Sequence, residues 1–576
     1  QMCDQPPPSS SAYAGSCGKR PSCRKPKRIG IVGCGFTGTS AFYQLVSDYS
    51  VKEIFIFEKS GIFGPGYAWN TTEREDFLVN NTNSTLCLAP GNLMAFYNWM
   101  TQCQNQDVDK DSHVSRSRFG EFLVDSFKST RTIAAIKGVN VTLIPKEVVD
   151  VREETKECGE TTSHIVTMKD GGGEEVIVVD AVLITTGRSP YEEHFFPVSS
   201  PPPSSPPSPS HSSPVYIPDH VNVPRETFDS LPLDATVHIL GSSLSAFDVV
   251  NGLFSPSTSC EFVRDEQTGK LQFVPGNNNR RVVLCSRSGR LKKVGGVKAM
   301  DIKINHFTEE NVRKMYEESA NGLTLEDLGA LIKGDIKDNN AEHFVDFNEI
   351  LDPYAGCGSI EEVTKRAAEI MERDVEKAVT GKNFMMDLMN KCAFVGLLVA
   401  EEGYLAGVEE QRYRDEFETL VLSFFAAAPI LTGERLRALF KAGRIQVIKG
   451  VKNVAYSPDS HFTIHHAFGE ETAHFLVNTS GSVSRQVSSP IQPPLFRGLH
   501  ERGVLKGHSR AVGKEGGEEG KRIEMKGAAI DMKTMKVKGA KTIYMVNMLV
   551  WGPTFFSSSA FLMSFFVQRA LRDLYG

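Results

Sequence analysis

A strand that runs straight into a glycine-spaced turn and then into a helix leaves few folds open to a chain. Arg28–Val32 is a short apolar run. It is followed at once by Gly33-Cys34-Gly35-Phe36-Thr37-Gly38, then by helical spacing over 39–46 and a second apolar run, 54–57, that ends in Glu58. Strand, turn, helix and strand in that order make one βαβ unit. Each glycine has a separate duty: Gly33 permits the tight turn, Gly35 lets backbone approach a pyrophosphate, and Gly38 lets helix pack closely on strand. Phe36 and Thr37 lie in the turn ahead of the helix, whose free N–H groups and partial positive charge face the phosphates. Glu58 stands 20 residues after Gly38. A carboxylate there accepts a hydrogen bond from a ribose 2′-hydroxyl and repels a 2′-phosphate. The first site is therefore expected to hold an adenosine diphosphate without a 2′-phosphate, as in FAD or NAD.

A second such unit begins near residue 235. The strand Thr236–Leu240 leads into Gly241-Ser242-Ser243-Leu244-Ser245-Ala246, a helix over 247–254, and the strand Arg281–Cys285. Ser243 replaces the usual second glycine. Arg287, in Ser286-Arg287-Ser288, is expected where Glu58 stands in the first unit. A guanidinium there pairs bidentately with a 2′-phosphate, which favours NADPH over NADH. Arg287 lies about 45 residues after Gly241, against about 20 in the usual motif, so 255–280 must be looped out.

Between and after these units the chain changes character. Segment 1–26 is rich in Pro, Ser, Lys and Arg and reads as a disordered tail or the remnant of a cleaved targeting segment. A Pro/Ser tract at 199–214 cannot build a core. Residues 306–441 turn helical, with spacing near 3.6 at 323–332 and 360–371. The expected organisation is a tail, 1–26; the first part of an FAD-binding domain, 27–190; a linker, 191–234; an NADPH-binding domain, 235–300; a helical insertion and possible substrate region, 301–440; and the second part of the FAD domain, 441–576. The fold class is α/β, with two Rossmann-like dinucleotide-binding domains, the second inserted into the first, and a helical insertion.

Composition removes other classes. A net charge of -6 over 576 residues points to neither nucleic acid nor an anionic membrane. No apolar run reaches the roughly 18 residues of a membrane span. The 11 cysteines are scattered without a C-x-x-C pair, which argues against a structural zinc site, a disulfide framework, or a reductase with a redox dithiol beside its flavin. No metal is expected. The compartment is read as reducing, the cytoplasm or an organellar lumen.

Four further stretches carry a resemblance. Lys59-Ser60-Gly61-Ile62-Phe63-Gly64-Pro65-Gly66 is similar to the segment after the ribose-binding acid in flavoproteins with two dinucleotide domains. Asp180 to Gly187, ending Thr185-Thr186-Gly187, and His474 to Gly481 resemble the motifs where such chains cross between domains. The 543–546 strand with the turn and helix after it resembles the segment that covers the flavin, although Asn547-Met548 stands where Gly-Asp is usual. Together with Phe77-Leu78-Val79-Asn80, Ala89 to Phe96 and Ser115 to Leu123, these stretches look like a family of FAD/NAD(P)-binding proteins. It includes FAD-dependent urate hydroxylases and amino-acid N-hydroxylases of the aspartate N-monooxygenase kind.

The resemblance implies FAD over NAD in the first site, with Lys59, Gly66, Met94, Thr186 and Gly187 near it. It also implies a monooxygenase in which NADPH reduces FAD and a C4a-hydroperoxide passes oxygen to a small amino-acid-like amine. Asn80 is the candidate catalytic residue at the flavin or nicotinamide edge, within a proximal segment of 80–83 and 92–94. Arg116 and Arg118 are candidate holders of a substrate carboxylate. Molecular oxygen and a small substrate are the expected partners. Two alternatives stand beside this reading: a single-component flavin halogenase, for which Lys292 or Lys293 would line a tunnel, and a flavin-binding protein without turnover.

Overall fold

The computed structural model describes residues 25–576 except 73, 170–171, 188–194, 197–213, 222, 225, 297–298, 458–460, 481–483, 515–520 and 555–558. The expectations for the tail and for nearly all of the Pro/Ser tract fall outside the described residues.

Arg28–Val32 is the centre of the first sheet. Glu53–Phe57 pairs parallel on one side of it, with Asn140–Ile144 beyond. Ala181–Ile184 and then Ile543–Met545 continue the parallel order on the other side, and a short antiparallel edge of Lys536–Val537 and Ile530–Asp531 closes it. The strands are apolar on both faces: the consecutive residues Ala181, Val182, Leu183 and Ile184, which alternate between the faces, are all buried. That is the signature of a parallel sheet covered on both sides. Helix Phe36–Asp48 packs against both Arg116–Ile136 and the closing helix Ala560–Tyr575, with Phe42 on Phe127 and Tyr49 on Tyr575 at ring separations of 5.3 and 4.9 Å.

The second sheet repeats this plan. Its order is Ile445–Ile448, Arg281–Cys285, Thr236–Leu240, Phe475–Asn478 and Val215–Ile217, all parallel. Each unit runs strand, helix, strand, helical crossover, strand, three-stranded antiparallel meander, strand. The meanders are Val148–Thr155, Thr161–Met168 and Glu174–Val179 in the first unit, and Asn453–Ser457, His461–His466 and Gly469–Ala473 in the second.

This pairing corrects the expected boundaries. Ile445–Ile448 and Phe475–Asn478, expected in the second part of the FAD domain, are strands of the second sheet, and Val215–Ile217, expected in the linker, is its edge. The chain leaves the first unit after Ala181–Ile184 and returns only after Phe475–Asn478. The helical insertion therefore lies inside the second unit, in the crossover from Arg281–Cys285 to Ile445–Ile448. Local sequence marks a short apolar strand well, but only its partner decides which sheet owns it.

The looped-out residues before Arg281 form a hairpin, Glu261–Arg264 with Leu271–Val274, whose Phe273 meets Phe254 edge-on at 5.4 Å. Beneath it Arg280 is fully buried. Its guanidinium donates to the carbonyls of Pro232, Leu253, Asp229 and Leu231. The insertion holds Glu309–Glu318, Leu325–Asp338, Ile360–Thr380, Phe384–Glu402 and shorter helices. Thr324 and Asp327 form a capping box at Leu325, and Gly381 and Gly403 stop their helices in the left-handed region. Among the described residues no single helix is long and apolar enough to cross a membrane.

Candidate functional site

The first glycine turn closes on itself and on the strand that follows it. Gly33 N–H donates to Phe57 O at 2.8 Å, and Gly33 sits at φ +93° against the Thr186 backbone. A Cβ on Gly38 would lie 2.0 Å from Gly33 O, so only glycine lets the helix start there. The Cys34 N–H donates to Glu58 Oε2 at 2.9 Å, while Glu58 Oε1 accepts from Ser60. This holds the carboxylate at the strand end where a ribose would lie. Gly61, Gly64 and Gly66 all have positive φ. They fold the 58–66 segment back until the Gly66 backbone meets Gly35, where a Cβ would be 3.2 Å from Gly66 Cα. No side chain caps the helix at Gly35. A glycine cradle, an uncapped helix N-terminus and a fixed acid come together at Gly33, Gly35, Phe36, Thr37, Gly38 and Glu58, an arrangement that could hold the adenosine diphosphate of FAD. Lys59 is exposed beside them.

The second turn has the same hydrogen bonds with other residues. Gly241 N–H donates to Cys285 O at 2.8 Å. Gly241 has φ +124° and meets Thr479, as Gly33 meets Thr185 and Thr186. Thr185 N–H donates to Val32 O and Thr479 N–H to Leu240 O, so the two crossover motifs are equivalent by bonding; Gly481 lies outside the described residues. Ser243 occupies the place of Gly35, is exposed, and leaves the helix at Leu244 and Ser245 uncapped by any side chain.

The equivalence corrects one position. Glu58 N–H donates to Ile144 O and Ser286 N–H to Ile448 O. Ser286, not Arg287, therefore stands where Glu58 stands, and Arg287 follows it. Ser286 Oγ accepts from Gly289 N–H and lies 2.9 Å from Ser242 Oγ. The Tyr354 hydroxyl and the Arg290 guanidinium pin this turn, donating to Gly289 O and to the carbonyls of Ile350 and Leu351. Arg287 is exposed on that fixed turn.

The remaining expected residues divide. Thr186 receives a hydrogen bond from Asn547 Nδ2 at 3.3 Å, and Asn547 Oδ1 caps the short helix Met548–Trp551. Asn547 thus ties the covering segment to the crossover beside exposed Gly187. Asn80 is exposed in a bend two residues after Leu78, which makes an isolated bridge to Ser115. Asn83 is buried, and its amide is used by Asp109 O and Ser112. Asn92 lines a cavity of about 250 Å3 with Tyr43, Trp99 and Phe122, and Met94 precedes the helix beside it.

Two expected substrate holders are engaged elsewhere. Arg116 lies 2.5 Å from the buried Asp248 on the second unit's first helix. Arg118 pairs with Glu121 and stacks on Trp99. Lys293 pairs with Asp374 at 3.1 Å and Lys292 donates to Leu422 O. Both ammoniums are engaged by the helical insertion.

Sequence reading missed several groups. Arg74 is buried and reaches Asp229, Ser255 and Ser257 across the two units. Arg414, in a π-helical stretch at Tyr413–Phe417, donates to Gly552 O and Thr554 O while pairing with Glu410 and Glu418. It brings the helical insertion onto the covering segment. No disulfide joins any of the eight described cysteines, and burial pushes the Cys34 thiol up to about 12. Among the described residues no cluster fits a metal ion.

The chain thus holds two Rossmann-like units, the first with an acid directly after its second strand and the second with Ser-Arg there. Residues 30–189 match the family described as FAD-NAD(P)-binding. No curated protein sequence matches the chain. Similar solved structures include an ornithine hydroxylase from Pseudomonas aeruginosa, 12% identical with TM-score 0.46, spanning 96% of this chain and 98% of that one. Another is an ornithine N-hydroxylase from Kutzneria sp. 744, 11% identical with TM-score 0.42, spanning 96% and 99%. A bacillithiol disulfide reductase from Bacillus cereus is 12% identical with TM-score 0.40, spanning 96% and 99%. Likenesses at these scores carry no reaction over to this chain.

Proposed function

We propose that this protein is an FAD- and NADPH-dependent monooxygenase whose acceptor is the amine of a small amino-acid-like molecule. The observation that carries the reading is the doubled unit with opposite endings. Glu58 suits a ribose with a free 2′-hydroxyl, and the Ser286-Arg287 turn suits one bearing a 2′-phosphate. Flavin bound there would supply hydride acceptance from nicotinamide and the activation of oxygen.

The chain's own part is to hold and exclude. The glycine cradle of Gly33, Gly35 and Gly38 positions the pyrophosphate, and Asn547 and Thr186 fix the segment that closes over the flavin end. Arg414 draws the helical insertion onto Gly552 and Thr554, which excludes water from that side. Asn80, exposed in the bend after the Leu78 bridge, offers an amide to the flavin or nicotinamide edge. An amine acceptor must reach this place unprotonated, so the pocket must disfavour the ammonium form. Cys34, the cysteine of the glycine turn itself, speaks against thiol chemistry there, since a thiol held near 12 is not a nucleophile at neutral pH.

The test is an anaerobic flavin spectrum titrated with NADPH, followed by oxygen and a panel of amino-acid amines. Bleaching, reoxidation and a hydroxylamine product are expected. Bleaching with peroxide alone across the panel overturns the amine acceptor. Bound flavin that NADPH never bleaches overturns the enzyme and leaves a flavin-binding protein without turnover.

A further inference from the structure

The segment after strand Ile543–Met545 lies at the carboxyl end of the first sheet. Val546 N–H donates to Ile184 O, and Asn547 holds Thr186, whose backbone packs on Gly33. Ligands of such sheets bind outside the carboxyl ends of the strands, so 547–554 stands beside the place proposed above for the flavin. Behind that segment runs a row of charges. Glu410, Arg414 and Glu418 recur every four residues and share one helical face. Arg510 joins them from the strand Gly507–Ala511, and Arg485 from the loop before helix Pro494–Glu501. The pairs run Arg510–Glu410 at 2.8 Å, Glu410–Arg414 at 3.3 Å, Arg414–Glu418 at 2.8 Å and Glu418–Arg485 at 3.3 Å. No side chain in the row is more than 21% exposed, so its field is only partly screened.

Among the described residues two carboxylates in this row serve three guanidiniums. The row ends against the covering segment: Arg414 donates to Gly552 O and Thr554 O, and the Arg485 guanidinium stands 4.2 Å from the centre of the Trp551 ring. Stability does not account for the surplus, because a buried charge without its own counter-charge costs free energy. We propose that Arg485 raises the reduction potential of the bound flavin by holding this surplus positive charge behind the segment that closes over it. The proposal rests on the FAD reading above and adds to it a group outside both glycine turns. A hydride from NADPH carries two electrons and one proton to the flavin and leaves NADP+, so the flavin site gains one negative charge. A fixed positive charge nearby favours that gain. Attraction between unit charges about 10 Å apart, at an effective dielectric of about 20, changes such an equilibrium about tenfold. The effect is exerted through the field, so charge and not shape decides it.

The experiment is spectroelectrochemical titration of the flavin-loaded full-length protein at neutral pH, beside Arg485→Met, Arg485→Lys and Glu418→Gln. Arg485→Met keeps an unbranched side chain over Trp551 and removes the charge. Its midpoint is expected to fall, with reduction disfavoured about tenfold, about 30 mV for a two-electron couple. Arg485→Lys keeps the charge and is expected to hold the wild-type midpoint. Glu418→Gln removes a counter-charge and is expected to raise the midpoint by a similar amount, which tests the same field if Arg485→Met does not fold. A merely structural disturbance moves both charge-changing variants the same way. With flavin bound, an unchanged midpoint in the charge-changing variants, or shifts of one sign in both, overturns the proposal and leaves the FAD reading standing. Protein that takes up no flavin overturns the FAD reading, and the proposal with it.

Discussion

At the residue scale, the proposed nucleotide specificity of the second unit turns on two adjacent side chains. Ser286 takes the place where an acid would repel a 2′-phosphate, and Arg287 stands exposed on the turn after it. Arg287→Ala is expected to weaken NADPH by about ten- to a hundredfold, the range of a lost charge-assisted pair, and to leave NADH nearly unchanged. Equal weakening of both in flavin-reduction titrations would refute the 2′-phosphate assignment. Ser286→Glu restores the acid and is expected to invert the preference toward NADH, read from the same titrations. In the first unit, Gly38→Ala places a methyl 2.0 Å from the Gly33 carbonyl. The purified variant is expected to lose its visible flavin absorbance relative to protein. Retained flavin would mean that the turn shifts freely, contrary to its hydrogen bond with Phe57.

At the scale of elements, the two units are joined by groups that sequence left unremarked. Helix Arg116–Ile136 of the first unit begins with the guanidinium that meets Asp248, on helix Leu244–Leu253 of the second. That second helix is the one whose N-terminus faces the proposed NADPH pyrophosphate. Removing one member of a buried pair strands the other charge, so Arg116→Met is expected to cost about 3–5 kcal/mol in urea unfolding. Arg116→Met with Asp248→Leu is expected to recover much of that loss. A single-variant cost below about 1 kcal/mol would show that the pair does not join the units. The strand–turn–helix order around Leu244–Leu253 was legible, because it is a local pattern. The ion pair was not, because 132 residues separate its members and nothing in either segment marks the other as its partner.

At the scale of the whole molecule, the helical region is inserted in the second unit and the second unit in the first, and the buried Lys292 offers a probe of stability at that junction. Burial pushes its ammonium down to about 8, with the Leu422 carbonyl as its contact, against about 10.4 for a lysine in an unfolded chain. Between those values the unfolded chain binds the proton more tightly than the folded one, so stability rises with pH across about 8 to 10.4. Lys292→Met is expected to be more stable at neutral pH by about 1–3 kcal/mol and to lack that rise in urea midpoints. A rise of equal size in the variant would assign it to another group. The sequence by itself determined the two glycine turns, the acid of the first, the Ser-Arg of the second, and the helical character of 306–441. Each is written in neighbouring residues whose spacing follows from backbone geometry. Only the tertiary structure decided that Ile445–Ile448 and Phe475–Asn478 complete the second sheet, that Ser286 is the counterpart of Glu58, and that Arg116 is an internal strut. Strand ownership, equivalence and pairing are set by partners far along the chain, and a segment's own residues do not encode which partner it meets.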